Sequence, residues 1–347
     1  MALAIGLSPE ENPVQVKMGP SQDVGRNGLL FGSISSVCED QQENFYILDG
    51  KEFKVYKFSA DGRVLQEFGQ KGQGPGDFQA PSRIVFTSPG ELAVLEDLNF
   101  VSFFGADGSF LRRLDLHDRL GLGYIGPNRY YGWVWRPEDR QQVMVDEKNR
   151  VISTFHIQPR DAFSVVLPDE TGRGVMFNYA SEFYVPQFLF DHSRSLSAVG
   201  SSGVYRLVLL DENGQSVGFI EKDSGPQKIT RKERVSLEQD IFEFTKSKGW
   251  PQRVGRELKK KIPRDKNSIR AVRVSPHHVF VFRFAPDITR RETAVPVDIF
   301  TRRGEYLGPA ELAEIPLLIS ERVMYFVRTE ENGNVYLART EYFLSGI

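Results

Sequence analysis

Phe58-Ser-Ala-Asp-Gly62-Arg-Val-Leu65 decides the fold, because the chain of 347 residues repeats this pattern in four further places. In each copy an apolar residue leads into a short polar turn that ends in Gly or Asn, and a second β-rich run follows. The other copies are Phe104-Gly-Ala-Asp-Gly108-Ser-Phe-Leu111, Val145-Asp-Glu-Lys-Asn149-Arg-Val-Ile152, Leu210-Asp-Glu-Asn-Gly214-Gln-Ser-Val217 and Phe300-Thr-Arg-Arg-Gly304-Glu-Tyr-Leu307. Gly or Asn supplies the positive φ of a tight turn, so each copy predicts a β-hairpin.

A second series of hairpins lies ahead of these. Its strong copies span residues 37–48 and 85–95, and weaker copies lie around Asn128, around Ser193, at 275–278 and at 330–337. One hairpin of each series makes a four-stranded blade, and a period of this length is typical of β-propellers. The sequence therefore predicts an all-β fold, a six-bladed β-propeller in which six inner hairpins meet five outer ones.

The sixth blade lacks an outer hairpin, and the two ends of the chain can supply its two outer strands. Pro13-Val-Gln-Val-Lys-Met18 alternates apolar and polar residues, which predicts the outermost strand, with 342–347 beside it. The predicted blades span 33–69, 80–117, 124–158, 174–222, 267–312 and 319–347 with 13–18. We expect one domain over residues 1–347, and a monomer.

One segment, residues 229–263, departs from the β pattern. Thr230 and Glu233 have the spacing of a capping box, and Leu237, Ile241 and Phe244 have helical spacing. The segment predicts a helical insertion between blades four and five, with a helix of about four turns and a shorter second helix.

Composition limits the classes of partner. The chain has 40% hydrophobic and 26% charged residues and a net charge of −2, which is typical of a folded protein and gives no general attraction for nucleic acid. The single cysteine, Cys38, lies in a strand-like context that favours a buried thiol. No run of apolar residues is long enough to span a bilayer, so no transmembrane segment is predicted.

The segment Phe68-Gly-Gln-Lys-Gly-Gln-Gly-Pro-Gly-Asp-Phe78-Gln-Ala-Pro81-Ser-Arg-Ile84 resembles the junction between NHL repeats. The preceding Leu48-Asp49-Gly-Lys-Glu-Phe-Lys54-Val55-Tyr-Lys-Phe58 is similar to the body of the same repeat. Together with the helical insertion, these features resemble bacterial six-bladed propellers of the NHL-like and TolB-like group. Many members of that group are exported or lipid-anchored and have no assigned activity, so the resemblance implies an extracytoplasmic location. The opening residues do not have the pattern of a signal peptide, which leaves a cytoplasmic location as the alternative.

Lactonase-type propellers, which share this architecture, hold a central calcium ion with acidic and Asn side chains. In this chain Asp49, Glu96, Asp97 and Asn99 lie in loops of the first two predicted blades that open on one face. A calcium- or zinc-dependent hydrolase or lyase with its site in the central channel is therefore the alternative function. Acidic residues in such turns more often bind backbone amides, and the five histidines lack metal-ligand spacing. No cofactor is predicted, although calcium is possible.

The third blade contains the most distinctive candidate for partner binding. Arg129-Tyr-Tyr-Gly-Trp133-Val-Trp135-Arg136 should place Tyr131, Trp133 and Trp135 on one side of a strand. Such aromatic residues commonly pack against a neighbouring blade, but an aromatic and arginine cluster is also the composition of an interface hot spot. Arg290 and Arg291 lie in the analogous loop of blade five. The favoured hypothesis is a non-catalytic binding propeller with a protein or peptide partner.

Overall fold

The computed structural model describes residues 13–25, 29–87, 90–97, 99–136, 138–159, 164–168, 173–179, 186–222, 227–284 and 294–347. These residues form six four-stranded antiparallel sheets, one two-stranded ribbon and two α-helices. The fold is an all-β six-bladed propeller.

The strands follow one another from the inner to the outer edge of each blade. The first strand among the described residues is β1 (Gln15–Val24). Blade 1 then contains β2 (Ile34–Glu39), β3 (Phe45–Asp49), β4 (Lys54–Phe58) and β5 (Val64–Phe68). Blade 2 contains β6 (Pro81–Phe86), β7 (Leu92–Glu96), β8 (Phe100–Phe104) and β9 (Phe110–Asp115). Blade 3 contains β10 (Leu120–Gly126), β11 (Arg129–Trp135), β12 (Asp139–Val145) and β13 (Val151–Pro159).

Two short strands, β14 (Ser164–Pro168) and β15 (Gly174–Asn178), separate blade 3 from blade 4. Blade 4 contains β16 (Phe188–Ser193), β17 (Leu196–Ser201), β18 (Arg206–Asp211) and β19 (Ser216–Glu221). The helices α1 (Arg231–Ser247) and α2 (Gln252–Lys260) follow. Blade 5 contains β20 (Ile269–Val274), β21 (His278–Arg283), β22 (Val295–Thr301) and β23 (Tyr306–Leu312). Blade 6 contains β24 (Leu318–Ile319), β25 (Val323–Thr329) and β26 (Val335–Ser345), and β1 pairs with β26.

This strand order gives the ring two different faces. The turns from first to second strand and from third to fourth strand lie on one face, which we call the hairpin face. The turns from second to third strand and the links between blades lie on the other, the connection face. Both β14–β15 and α1–α2 belong to links between blades and therefore to the connection face.

The turns from third to fourth strand follow the mechanism that the repeat predicts. The turn residues Gly62, Gly108, Asn149, Gly214 and Gly304 have φ values of 86°, 71°, 59°, 75° and 91°. In each turn the N–H of this residue donates to the carbonyl three positions earlier, at 2.8–3.0 Å. The positive φ inferred from sequence is confirmed in all five turns.

The core lies between the blades. Second strands such as β3 and β7 are buried along their whole length, because both of their faces pack against neighbouring sheets. Six apolar clusters each join one pair of adjacent blades and so close the ring. The cluster between blades 6 and 1 joins Tyr325 and Leu337 to Phe45. The ring centroids of Phe45 and Tyr325 lie 5.9 Å apart.

In blade 6 one hairpin was assigned wrongly from sequence. The turn at 330–334 joins β25 to β26, which are the second and third strands, and therefore lies on the connection face. The inner hairpin is the short turn after β24, where the Ser320 N–H donates to Val323 O at 2.8 Å. A two-residue inner strand gives little alternation to recognise, which explains the error.

The start of blade 4 also differs from the prediction. Residues 174–178 form β15, which pairs with β14 and not with the blade. This ribbon packs with α1 and α2 around Val165, Ile241 and Leu258, in an apolar cluster separate from the ring clusters. We call β14, β15, α1 and α2 the helix–ribbon layer. The predicted fourth blade, which started at residue 174, therefore begins at β16 instead.

Helix α1 begins as its capping box predicts. The Thr230 hydroxyl accepts from the Glu233 N–H at 3.3 Å, and the Glu233 carboxylate accepts from the Thr230 N–H at 2.8 Å. The other Glu233 oxygen forms a buried ion pair with Lys266 at 2.6 Å. This pair ties the start of α1 to the segment that leads into blade 5.

Candidate functional site

The residues predicted on β11 do not form one cluster. Arg129 lies at the turn that begins β11, on the hairpin face, whereas Trp135 and Arg136 lie at its other end, on the connection face. A seven-residue strand separates its ends by about 20 Å, so Arg129 cannot share a contact surface with Trp135. The prediction for Arg129 is therefore corrected. Arg290 and Arg291 lie outside the described residues.

Tyr131 is also unavailable to a partner, because its side chain is only 3% exposed. Its ring stacks on Phe190 of blade 4 with centroids 4.4 Å apart, and its hydroxyl accepts from Gln142 Nε2 at 3.1 Å. Burial raises the pKa of Tyr131 to about 12. Tyr131 therefore packs blade 3 against blade 4.

Trp133 and Trp135 meet further along the same strand. Their rings lie 5.7 Å apart in an edge-to-face arrangement, and Trp133 has the same relation to Phe188 of blade 4 at 6.5 Å. The Arg140 guanidinium of β12 lies 4.5 Å from the Phe188 ring and 5.4 Å from the Trp133 ring. We call Trp133, Trp135, Arg140 and Phe188 the aromatic patch.

Arg140 is held in place by its neighbours. It donates to the Gln158 side chain and to Pro186 O, the latter at 3.1 Å. Burial lowers its pKa, but an arginine stays charged at any pH a protein tolerates. Burial and the Arg140 charge also lower the pKa of His156, whose ring lies 5.8 Å from Phe188. The patch is thus a rigid cation among aromatic faces beside a neutral imidazole.

Part of this region is open to solvent. Trp135 is 37% exposed, and Arg136 is exposed as well. Sequence reasoning found the two tryptophans but missed Arg140 and Phe188. The contact of Phe188 with Trp133 joins different blades, so local periodicity gives no signal for it.

The carboxylate of Asp49 is occupied by the backbone. Its two oxygens accept from the N–H groups of Gly32 at 2.6 Å, Ser33 at 3.0 Å, Lys51 at 3.1 Å and Glu52 at 3.1 Å. The side chain is fully buried. Asp49 therefore fixes the link into blade 1 and does not offer its oxygens to an ion.

Glu96 has the same role in blade 2. It accepts from Gln79 N–H at 2.6 Å and Ala80 N–H at 3.1 Å, and Arg113 lies 3.3 Å away. The structure therefore contradicts the assignment of Asp49 and Glu96 as metal ligands, and calcium does not fit these carboxylates.

The other two candidate ligands do not form a cation site either. Asp97 is exposed, and Asn99 has a φ of 74° in the turn after Glu96. Within the described ranges, no group of three or more His, Cys, Asp or Glu side chains could hold a metal.

A cavity of about 330 Å³ lies away from the aromatic patch, beside the link between blades 1 and 2. It is lined by Phe68, Pro75, Phe104 and Phe110, together with Asp77. The Asp77 carboxylate accepts from Gly74 N–H at 2.9 Å and so stabilises the loop. This cavity brings together no groups suited to catalysis.

The architecture defines the chain as a six-bladed β-propeller, and comparison with known proteins agrees. Residues 26–189 match the family DUF5128, which is described as a 6-bladed beta-propeller. No curated protein matches the sequence. Membership of the NHL or TolB-like group stays a prediction.

Two solved structures are similar over nearly the whole chain. A DUF4221 family member from Bacteroides vulgatus has 11% identity and a TM-score of 0.54, covering 97% of this chain and 99% of that one. A candidate exported protein from Bacteroides fragilis has 10% identity and a TM-score of 0.55, covering 95% of each chain. At these identities the likeness extends to the fold alone.

A virginiamycin B lyase from Staphylococcus aureus aligns with a TM-score of 0.43 and 7% identity, over 94% of this chain and 99% of that one. This likeness is too weak to bear on activity. In the described part of the chain, neither helix has the length and apolar composition needed to cross a bilayer.

Proposed function

We propose that the chain is a non-catalytic binding propeller that engages a protein or peptide through the aromatic patch. The observation that carries this proposal is the position of Trp135, 37% exposed on the connection face and in contact with Trp133. Tryptophan and arginine are the residues that most often dominate binding energy at protein interfaces. No comparable arrangement of groups supports catalysis among the described residues.

The patch is suited to binding because it is already ordered. Trp133 packs against Phe188, and Arg140 is fixed by Pro186 O, so a partner need not order these side chains. Side chains that are immobilised only on binding each cost about 0.5–1.5 kcal/mol, and here that cost falls mainly on Trp135.

The proposal also includes the domain organisation, the oligomeric state and the cellular location of the protein. We propose that residues 1–347 act as one monomeric domain, with the insertion at 229–263 belonging to it. The resemblance to exported NHL-like and TolB-like propellers supports an extracytoplasmic location. Fractionation of the native cells with an antibody to the chain tests this location, and recovery in the cytoplasmic fraction alone would contradict it.

Peptide selection tests the binding function directly. A random peptide library is selected on the purified chain, and the affinity of the enriched peptides is measured by titration calorimetry. Trp135→Ala should raise Kd by about 30-fold or more, because a hot-spot side chain contributes about 2 kcal/mol or more.

The matched control is Phe343→Ala, since Phe343 is an exposed aromatic residue at 56% on β26 of blade 6. This variant should bind the same peptides with unchanged Kd. Equal affinities for the wild type and Trp135→Ala, or failure to enrich any peptide, would overturn the proposal. Circular dichroism of each variant shows whether the fold is retained.

A further inference from the structure

Three inner strands bring charged side chains to the axis of the ring. Arg83 lies on β6 of blade 2, Asp191 on β16 of blade 4 and Arg273 on β20 of blade 5. Each belongs to the strand nearest the central channel, and all three side chains are partly exposed. The two arginines outnumber the one carboxylate in this group.

Arg83 reaches across blade 3 to blade 4. Its guanidinium lies 5.5 Å from the ring of Phe190, which is on the inner strand of blade 4. Phe190 in turn covers the inner strand of blade 3 at Gly123, where any Cβ would overlap the Phe190 ring. Because Gly123 has no side chain, the space in front of blade 3 is left to Phe190 and Arg83.

The charges of this group influence one another. Burial raises the pKa of Asp191, and the positive charges of Arg273 and Arg83 oppose that shift. Burial lowers the pKa of Arg273, while Asp191 raises it and Arg83 lowers it further. The contacts bring the three side chains together, because Arg83 lies over Phe190, the neighbour of Asp191 on β16, and Asp191 accepts from Val274, the neighbour of Arg273 on β20.

Most polar atoms of Asp191 and Arg273 already have backbone partners. Asp191 Oδ2 accepts from the Val274 N–H at 2.6 Å. Arg273 donates through Nε to Pro316 O at 2.7 Å and through Nη1 to Val272 O at 2.8 Å. These contacts fix both side chains at the channel wall.

Arg83 has a different environment. Within the described ranges, no acceptor takes its N–H groups and no carboxylate lies within 4 Å of it, so its contact is the face of Phe190. A guanidinium has five N–H donors in a planar fork that matches two oxygens of a carboxylate or phosphate. A charge-assisted pair of this kind gains strength where neighbouring groups exclude water.

We propose that the central channel is an oxyanion site, in which Arg83 binds a carboxylate or phosphate group and Arg273 adds a second positive charge. The ligand class is a small molecule or chain end that bears such a group. The site is separate from the aromatic patch, so this proposal does not rest on the proposed binding function.

Titration calorimetry with sodium phosphate and sodium citrate, at constant ionic strength, tests the site. The wild type should bind at least one of the two, and Arg83→Met should weaken its binding at least about tenfold through loss of the bidentate pair. Binding of phosphate alone identifies a phosphate site, and binding of citrate alone identifies a carboxylate site.

The matched control is Arg112→Met. Arg112 also lies over an aromatic ring, 3.9 Å from Phe103, and is 49% exposed on the outer strand of blade 2. The Arg112→Met variant removes one positive charge, as Arg83→Met does, but removes it from the protein surface. It should therefore change the Kd for the anion by less than about twofold. Equal losses in the two variants, or no binding of either anion to the wild type up to about 10 mM, would overturn the proposal.

A variant with the opposite effect separates this site from loss of the fold. Asp191→Asn removes the nearby negative charge while an amide oxygen can still accept from Val274. At pH 8 it should tighten anion binding by about threefold or more. Unchanged or weaker binding in this variant would contradict the site. Trp135→Ala should leave anion binding unchanged.

Discussion

Blades 1 to 4 share one strand order. They differ in the side chain that ties the end of the second strand to the link ahead of the inner strand. In blades 1 and 2, a fully buried carboxylate, Asp49 or Glu96, ends the second strand and binds the backbone ahead of the inner strand. In blade 4 a hydroxyl replaces it, because Ser202 Oγ accepts from the Gln187 N–H at 2.7 Å. Blades 1 and 2 therefore share a buried carboxylate that accepts from the backbone, and blade 4 has a weaker, neutral acceptor at the same position.

The aromatic residues differ in the same way. The link between blades 1 and 2 buries Phe78 completely, whereas the boundary of blades 3 and 4 leaves Trp135 37% exposed. A junction whose only role is to close the ring is most stable when its aromatic side chains are buried. The aromatic patch, which we propose as the binding surface, therefore lies where the repeat is least regular.

The largest expected effect is the loss of stability on removing β1, because all the blades depend on closure of the ring. Removing residues 1–24 deletes β1, which pairs with β26 from Gln15↔Ser345 to Val24↔Leu337. It also removes the buried side chains of Val14 and Val24 and exposes a sheet edge. We expect Tm, measured by calorimetry, to fall by more than about 10 °C.

A synthetic peptide of residues 13–25 provides the control for this truncation. Added in excess, it should pair with β26 and restore part of the lost Tm, as in strand addition between chains. An unchanged Tm in the truncated protein would contradict closure by β1.

The next effect compares the two junction devices. Asp49→Ala leaves four backbone N–H groups without their acceptor and should lower the free energy of unfolding by about 3–5 kcal/mol. Ser202→Ala removes one neutral acceptor and should cost about 1 kcal/mol. Urea unfolding measures both, with Asp97→Ala, an exposed carboxylate, as a control that should cost less than about 0.5 kcal/mol. Similar losses for Asp49 and Ser202 would remove the distinction between the blades.

The smallest effect lies in blade 4 and depends on pH. Burial, together with the charges of Arg302 and Arg83, lowers the pKa of His192 to about 3 from 6.5. Its Nδ1 lies 2.9 Å from Ser197 Oγ. As the pH falls, His192 therefore takes up a proton in the unfolded chain before it does so in the folded protein. The contribution of neutral His192 to stability is complete above pH 6.5 and is lost progressively as the pH falls towards 3.

By pH 5 about 2 kcal/mol of the His192 contribution is lost. His192→Gln should remove that much of the difference in unfolding free energy between pH 7.5 and pH 5, as measured in urea. His117→Gln, at a side chain 74% exposed, should leave the difference unchanged. If His192→Gln and the wild type show the same pH dependence of the unfolding free energy, the pKa of His192 does not differ between the folded and unfolded chain, and the prediction is wrong.

The sequence predicted those features that depend on local chemistry. Gly62 and its equivalents need positive φ whatever surrounds them, and Thr230 caps α1 through a residue three positions away. The pairing of β14 with β15 and the contact of Arg140 with Phe188 depend instead on how distant segments meet. A single sequence shows which strands can form, but it does not specify which side chains face each other across blades. The aromatic patch was therefore predicted only in part.

The pairing of β1 with β26 also has a consequence for the order of events during synthesis. On the ribosome β1 emerges before every blade, and its partner emerges after blade 5 is complete. Until then blade 1 has no neighbour on one side, and Phe45 and its surroundings lack the side chains of Tyr325 and Leu337. Contacts between residues so far apart in sequence form slowly, and unpaired edges invite misassembly during the delay. The nascent chain should therefore depend on chaperones until its last strand is released.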